Sequence, residues 1–136
     1  MKSAQELFEL WRSHPSLDPA LQKELTAMQN DSAAIDDAFG AALQFGTGGL
    51  RGMLGVGTNR MNVHVVRRAA QAVADYLNET SLPKRAAIGY DSRINSERFA
   101  RETACVLAAN GIEANLYPRL EPVPALSYAV RALSCG

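Results

Sequence analysis

The chain has 136 residues, 14 basic and 14 acidic side chains, no formal net charge, and 47% hydrophobic against 21% charged residues. This is the composition of one globular domain of ordinary size, and it excludes a strongly basic nucleic-acid-binding domain, an acidic tail and a disordered chain. No apolar run approaches the roughly 20 residues of a membrane-spanning helix, so we expect no binding to a membrane, and the balanced charge predicts no binding to nucleic acid. The two cysteines lack metal-ligand spacing and form no disulfide framework, so we expect a cytoplasmic protein.

The first third of the chain predicts short helices and no strand. Leu10 and Trp11 belong to an apolar stripe at helical spacing, and Asp18 before Pro19 supplies an N-cap and a first-turn proline for a second helix. These stripes are narrow, so the segment should lie against other parts of the protein. We predict a helical N-terminal extension over residues 1–44.

From residue 45 onward the pattern alternates between strands and helices. Closely spaced glycines in residues 46–61 favour a short hairpin, and Asn62 can cap the helix that follows. Two later apolar runs, 85–91 and 112–117, predict strands that are each followed by a helix. The order predicts a three-layer α/β/α domain over residues 45–136, with a mixed, mostly parallel sheet.

The predicted sheet is incomplete. A helix that follows a strand in this alternation normally leads into another parallel strand. The last predicted helix is followed by only a few residues. We expect the chain to be a piece of a longer protein.

The stretch 46–52, Gly-Thr-Gly-Gly-Leu-Arg-Gly, is the strongest candidate for a binding site. Glycines let backbone N–H groups approach an anion without interference from Cβ atoms, and the Arg51 guanidinium offers a planar fork for phosphate oxygens. The stretch matches neither the dinucleotide-binding fingerprint nor the Walker loop. A glycine-rich hairpin with a solvent-facing arginine is the purely structural alternative.

A second candidate is the turn Asp91-Ser92-Arg93, at the carboxyl end of the predicted strand 85–91. Open α/β sheets place their sites at the carboxyl ends of strands. Asp91 and Arg93 could orient groups from the glycine-rich loop. They could equally form an ion pair that only ties the turn down.

Three other reactive side chains are interpreted as structural. His14 and His64 have no Cys, Asp or Glu at metal-ligand or triad spacing, so we expect ordinary surface or helix-end residues. Cys105 lies within a helical pattern and is predicted to be a small core residue.

Four stretches occur in a fixed order along the chain: Phe-Gly-Thr-Gly-Gly-Leu-Arg-Gly at 45–52, Gly-Val-Gly-Thr-Asn-Arg-Met-Asn at 55–62, Gly-Tyr-Asp-Ser-Arg at 89–93, and Pro-Ala-Leu-Ser-Tyr-Ala-Val-Arg at 124–131. As an ordered set they resemble the α-D-phosphohexomutase superfamily. The resemblance is to the start of a bacterial-type phosphoglucomutase/phosphomannomutase that carries a helical N-terminal extension.

This resemblance implies an enzyme that moves a phosphoryl group between C1 and C6 of a hexose phosphate, with glucose the expected sugar. In the superfamily the transfer proceeds through a phosphoserine and a glucose 1,6-bisphosphate-type activator, with Mg²⁺. The domain seen here would be the first of several around a central cleft. Its partners would therefore be the phosphosugar substrate and the remaining domains of the parent enzyme.

The resemblance also implies roles for particular residues. The residues implied in binding the substrate phosphate are Arg51, Thr47, Gly48 and Gly49. The residues implied in a supporting rim of the same cleft are Asp91, Ser92 and Arg93.

Parts of the superfamily pattern do not occur in the chain. The Thr-Ala-Ser-His-Asn-Pro loop that carries the catalytic serine and the Asp-Gly-Asp-type metal loop are both missing from the sequence. We therefore expect no catalytic nucleophile and no metal ligands here, and no turnover by the chain alone. A stand-alone, non-catalytic phosphate-binding or interaction module is the alternative function, and a truncated gene product without any site is a third.

Overall fold

A computed structural model of the chain describes residues 2–46 and 49–136. Within these ranges the chain forms six helices and four strands: α1 (Ala4–Arg12), α2 (Pro19–Met28), α3 (Ser32–Phe39), β1 (Phe45–Gly46), β2 (Gly49–Leu50), α4 (Val63–Glu79), β3 (Arg85–Ile88), α5 (Ser96–Ala109), β4 (Glu113–Leu116) and α6 (Val123–Ala132). In this described part of the chain, no helix combines the length and the apolar character that crossing a bilayer requires.

Two compact units divide the chain, Met1–Val65 and Val66–Gly136. The core of the first unit is built by α1, α2 and α3, together with a residue from the loop that follows β2. Its largest fully buried side chains are Phe8, Leu25, Phe39 and Val56. The predicted short helices therefore form, and they share one core with a residue beyond position 44. The predicted domain boundary at residue 44 stays a prediction.

The buried face of α1 differs from the predicted stripe. Leu10 is 48% exposed, whereas Phe8 is 1% exposed and meets Phe39 edge-to-face at a centroid distance of 6.0 Å. Since each helical residue turns the side chain by about 100°, residues 8 and 10 point to opposite sides of α1. Trp11 of the predicted stripe packs against the core, whereas Leu10 lies outside the packed face.

The second unit has the predicted layered arrangement. Strands β3 and β4 pair in parallel, with Ile88 opposite Leu116. One face of this sheet is covered by buried residues of α4 and α5, among them Ala74 and Leu107. On the other face α6 contacts β3, and Leu126 lies against Gly89. The prediction of an incomplete α/β/α domain is confirmed.

Helix ends follow their sequence signals. The Asp18 carboxylate accepts a hydrogen bond from the backbone N–H of Ala20 at 2.9 Å, and Pro19 is the first residue of α2. After α5, Gly111 adopts φ +76°, the left-handed conformation that ends many helices. The predicted start of α2 is confirmed, and the Asn110-Gly111 pair that ends α5 is a usual sequence signal for a helix stop.

The prediction for Cys105 was wrong, because its side chain is exposed. The buried face of α5 is formed by Ala100 and Leu107, with Ala104 partly buried beside them. Cys105 precedes Leu107 by two residues, about 200° around the helix, and therefore points to solvent.

Candidate functional site

The first predicted site lies on a two-stranded hairpin. β1 and β2 pair antiparallel, with Phe45 opposite Leu50 and Gly46 opposite Gly49. Gly49 has φ +96°, which L-residues with a side chain rarely adopt. Thr47 and Gly48, two of the predicted phosphate-binding residues, lie outside the described residues. Arg51 follows β2 directly.

The Arg51 side chain is exposed, and it makes no hydrogen bond or ion pair with any other residue that the structure describes. An arginine carries five N–H donors in a planar fork and stays charged at all ordinary pH values. Its cationic group is thus not neutralised by a described carboxylate. This arrangement suits a group that binds an anion from outside the unit.

Asn62 organises the chain that follows the hairpin. Its side-chain amide donates hydrogen bonds to the carbonyl oxygens of Gly55 and Gly57, each at 2.9 Å. Its carbonyl oxygen accepts from the backbone N–H groups of His64 and Val65, at 3.1 and 3.0 Å. The predicted cap of α4 is confirmed, and the same side chain also fixes the loop before that helix.

Two contacts of the first unit escaped sequence reasoning. The Glu24 carboxylate accepts a hydrogen bond from the backbone N–H of Val56 at 2.8 Å. No local pattern signals a contact between residues 32 positions apart. The donation by Asn62 to two glycine carbonyls was missed as well, although the glycine spacing around it indicated a tightly turned loop.

The second predicted site, Asp91-Ser92-Arg93, is a turn held by its own side chains. Asp91 accepts from the Arg93 backbone N–H at 3.1 Å and from the Arg93 Nε at 2.8 Å, and Ser92 is exposed between them. The Ser96 hydroxyl accepts from the Asp91 backbone N–H. The bond from the Arg93 backbone N–H, helped by the Ser96 and Arg93 side chains, holds the pKa of Asp91 below its ordinary value.

The ion pair between Asp91 and Arg93 determines which groups of this turn remain free to bind a ligand. The Arg93 side chain is 79% exposed although its Nε is engaged by Asp91. Its terminal nitrogens therefore still face solvent while the head group is oriented. The structural alternative, an ion pair that ties the turn down, is present. A role as a supporting rim stays a prediction, since Gly49 and Arg51 belong to the unit Met1–Val65 and the turn to Val66–Gly136.

The two histidines lie close together in the first unit. His64, in the first turn of α4, meets the ring of Trp11 edge-on at a centroid distance of 5.1 Å, and the ring centroids of His14 and His64 lie 6.4 Å apart. Across residues 2–46 and 49–136, no group of three or more His, Cys, Asp or Glu side chains could hold a metal ion. The described residues thus do not fit a Mg²⁺ site.

A family model for the phosphoglucomutase/phosphomannomutase α/β/α domain I matches residues 42–136. The chain belongs to the phosphoglucomutase/phosphomannomutase family. The match covers the hairpin with Arg51, the turn at Asp91 and the whole second unit. The resemblance seen in the four ordered sequence stretches is thereby confirmed.

Curated members of the phosphoglucomutase/phosphomannomutase family are similar to most of the chain. A phosphoglucomutase of Staphylococcus saprophyticus is 36% identical over 91% of the chain, and one of Staphylococcus aureus is 34% identical over 93%. A protein named probable phosphomannomutase from Haemophilus influenzae is 44% identical over 52% of the chain. No solved structure matches the chain at a significant level.

The chain is much shorter than these phosphoglucomutases and phosphomannomutases. It spans 22% of the length of each of the two staphylococcal proteins and 15% of the Haemophilus influenzae protein. The similarity to the staphylococcal proteins extends over more than nine-tenths of the chain, so it includes residues of the helical segment that the family model leaves out.

Proposed function

We propose that the chain supplies the first domain of a phosphohexomutase that interconverts hexose 1-phosphate and hexose 6-phosphate, with glucose as the sugar. The observation that carries this proposal is the exposed, uncompensated guanidinium of Arg51 on a glycine-bearing hairpin, within a region matched by the family model. In the proposed role, Arg51 binds the substrate phosphate, together with Gly49 and with Thr47 and Gly48.

The chemistry of phosphoryl transfer explains why such a residue matters. The transferred group carries charge on three oxygens, so catalysis depends on positioning and on fixed cationic groups more than on covalent work by the protein. A guanidinium can hold two phosphate oxygens at once through parallel N–H bonds. Arg51 would therefore both orient the sugar phosphate and stabilise its charge.

Other parts of the reaction lie outside these residues. We propose that a phosphoserine, Mg²⁺ and a glucose 1,6-bisphosphate-type activator complete the site in the parent enzyme, with the remaining domains as partners. The sequence contains no Thr-Ala-Ser-His-Asn-Pro loop, so we propose that the chain alone does not turn over substrate. When bound, Mg²⁺ supplies charge neutralisation at the phosphoryl group.

We place the enzyme in the cytoplasm, and we propose that it binds neither nucleic acid nor membrane. Both cysteines are free, which agrees with a reducing compartment. The equal numbers of basic and acidic side chains argue against an electrostatic nucleic-acid surface.

A hybrid enzyme tests the proposed function. The chain replaces the matching region of the Staphylococcus saprophyticus phosphoglucomutase, and conversion of glucose 1-phosphate to glucose 6-phosphate is measured. We expect an active hybrid in which Arg51→Ala lowers kcat/KM by about 10²–10³-fold, the usual effect of removing one group that stabilises transition-state charge.

Two further variants complete this experiment. Arg51→Lys keeps the charge and loses the planar fork, so its activity should lie between those of the parent and the alanine variant. Arg68→Ala is the matched control, because Arg68 is also exposed and has no described ion-pair partner. A hybrid whose kcat/KM is the same with and without Arg51 would refute the assignment of this residue.

A further inference from the structure

Arg51 lies between two restrained stretches of backbone. Before it, Leu50 is paired with Phe45 across the hairpin. After it, the Met61 backbone N–H donates to the Met53 carbonyl oxygen at 2.7 Å, and Leu54 bridges to Met61. The backbone that follows Arg51 is therefore restrained by whatever fixes the chain between residues 53 and 61.

The loop of residues 55–60, here called the 55–60 loop, is fixed by the end of α3. The Asn59 N–H donates to the Ala38 carbonyl oxygen at 3.0 Å, and the Arg60 guanidinium pairs with the Asp37 carboxylate. Gly57 has φ +123°, and a Cβ there would lie 2.3 Å from the Ala38 oxygen. Backbone approach this close holds the loop in one position against the helix.

A single side chain of α2 completes this attachment. Glu24 places its Oε2 2.8 Å from the backbone nitrogen of Val56, whose own side chain is 1% exposed in the core of the first unit. A carboxylate that accepts from a backbone N–H forms a charge-assisted hydrogen bond, roughly twice as strong as a neutral one. Glu24 thus joins α2 to the 55–60 loop where that loop enters the core.

We propose that Glu24 is a positioning residue for Arg51. Through the Val56 N–H it holds the 55–60 loop, and through the Met53–Met61 pairing that loop holds the strand end from which Arg51 projects. Helices α2 and α3 thereby hold in place the backbone that carries the phosphate-binding arginine. This inference rests on the proposed function, since it takes phosphate as the ligand of Arg51.

Amide hydrogen exchange on the 136-residue chain tests the mechanical part of the proposal without any ligand. Loss of the charged acceptor in Glu24→Ala should speed exchange of the Val56 and Gly57 amides by about tenfold or more, because local opening then breaks one strong bond fewer. Glu24→Gln keeps a neutral acceptor and should show a smaller increase. Asp36→Asn, an exposed carboxylate of α3 with no described partner, is the matched control and should leave these amides unchanged.

Inorganic phosphate tests the positioning part. Its dissociation constant is measured from the NMR shift of the Arg51 side-chain Nε–Hε group, at a temperature where Trp11 fluorescence shows every variant fully folded. We expect a several-fold weaker dissociation constant in Glu24→Ala, partial recovery in Glu24→Gln and the wild-type value in Asp36→Asn. A purely structural role would lower the stability and leave the phosphate affinity of the folded chain unchanged.

The outcomes separate the two proposals. Wild-type phosphate affinity in Glu24→Ala would overturn the positioning role, whether or not amide exchange is faster. If phosphate instead fails to shift Arg51 in the unmodified chain, or if Arg51→Ala binds phosphate as the unmodified chain does in isothermal titration calorimetry, the assignment of Arg51 is wrong. The positioning role, which takes phosphate as its ligand, is then overturned with it. Faster exchange of Val56 in Glu24→Ala would then remain as a structural finding only.

Discussion

Replacement of Asn62 by alanine should be among the most damaging single substitutions in the first unit. Asn62 is 4% exposed, and it is the one buried polar residue among those that the structure describes. Its amide NH₂ donates to the carbonyl oxygens of Gly55 and Gly57, and its side-chain oxygen accepts from two backbone N–H groups at the start of α4. The amide also lies 3.4 Å from the Arg60 carbonyl oxygen. Alanine loses all of these hydrogen bonds at once.

The size of the effect follows from these contacts. Loss of an N-cap side chain costs about 1 kcal/mol. A buried carbonyl that loses its donor costs about 1–3 kcal/mol. The bond to Gly57 is buried while that to Gly55 is only partly buried, so water can replace the second more easily. We expect a total loss of about 3 kcal/mol, a large share of the roughly 5–15 kcal/mol that stabilises an ordinary domain.

Urea denaturation followed by Trp11 fluorescence measures this loss. Trp11 is the only tryptophan of the chain and lies 5.7 Å from Phe39 in the core of the first unit, so its emission reports on that unit. Asn62→Asp separates the two roles, because a carboxylate still caps α4 but cannot donate to the carbonyls. It should therefore remain clearly less stable than the wild type. An alanine variant within about 1 kcal/mol of the wild type would refute the reasoning.

Three further outcomes follow from the structure. Gly57→Ala should destabilise the first unit by at least about 2 kcal/mol in the same urea assay, because its φ of +123° and the 2.3 Å approach to the Ala38 oxygen leave no room for a methyl group; wild-type stability would contradict this. The pKa of the Asp91 carboxyl, measured by NMR, should lie below its ordinary value, so the stability from its hydrogen bonds should be present above the unfolded-state pKa and lost as the pH falls through the lower folded-state pKa. Arg93→Ala should raise this pKa without restoring the ordinary value, because the backbone N–H of residue 93 remains. An ordinary pKa for Asp91 in the unmodified chain would be the opposing result. The apolar groove of about 320 Å³ between β4 and α6, lined by Tyr117, Tyr128 and Ala129 among others, should make the chain bind a hydrophobic dye or self-associate, and a clean monomer without dye binding would speak against it.

The alternation of strands and helices from α4 onward could be predicted because it depends on local signals. Asn62 before an apolar stripe, and Asn110 followed by Gly111, mark helix ends through capping and left-handed backbone, which act over a few residues. The layered order of helices and strands then follows from the chain direction and the preference for right-handed crossovers. These are properties of short stretches of sequence.

Side-chain faces and long-range contacts could not be predicted in the same way. Leu10 was counted in the apolar stripe and Cys105 was assigned to the core because apolar residues recur near them, but a shift of one or two positions turns a side chain by 100–200°. The contact between Glu24 and Val56 depends on how α2 packs beside a loop 32 residues away. At the candidate site, the residue type and its glycine setting were visible in the sequence, whereas the support beneath Arg51 was not.

The bonds that join the 55–60 loop to α2 and α3 bear on how the domain could be grafted. A chimaera cut at residue 44 would take the loop from one parent and its acceptors, Glu24, Asp37 and the Ala38 carbonyl, from another. Recombination before α1 would keep donors and acceptors from the same ancestor. Recombination of genes from different family members should therefore give active hybrid enzymes more often when the crossover lies before α1 than when it lies at residue 44.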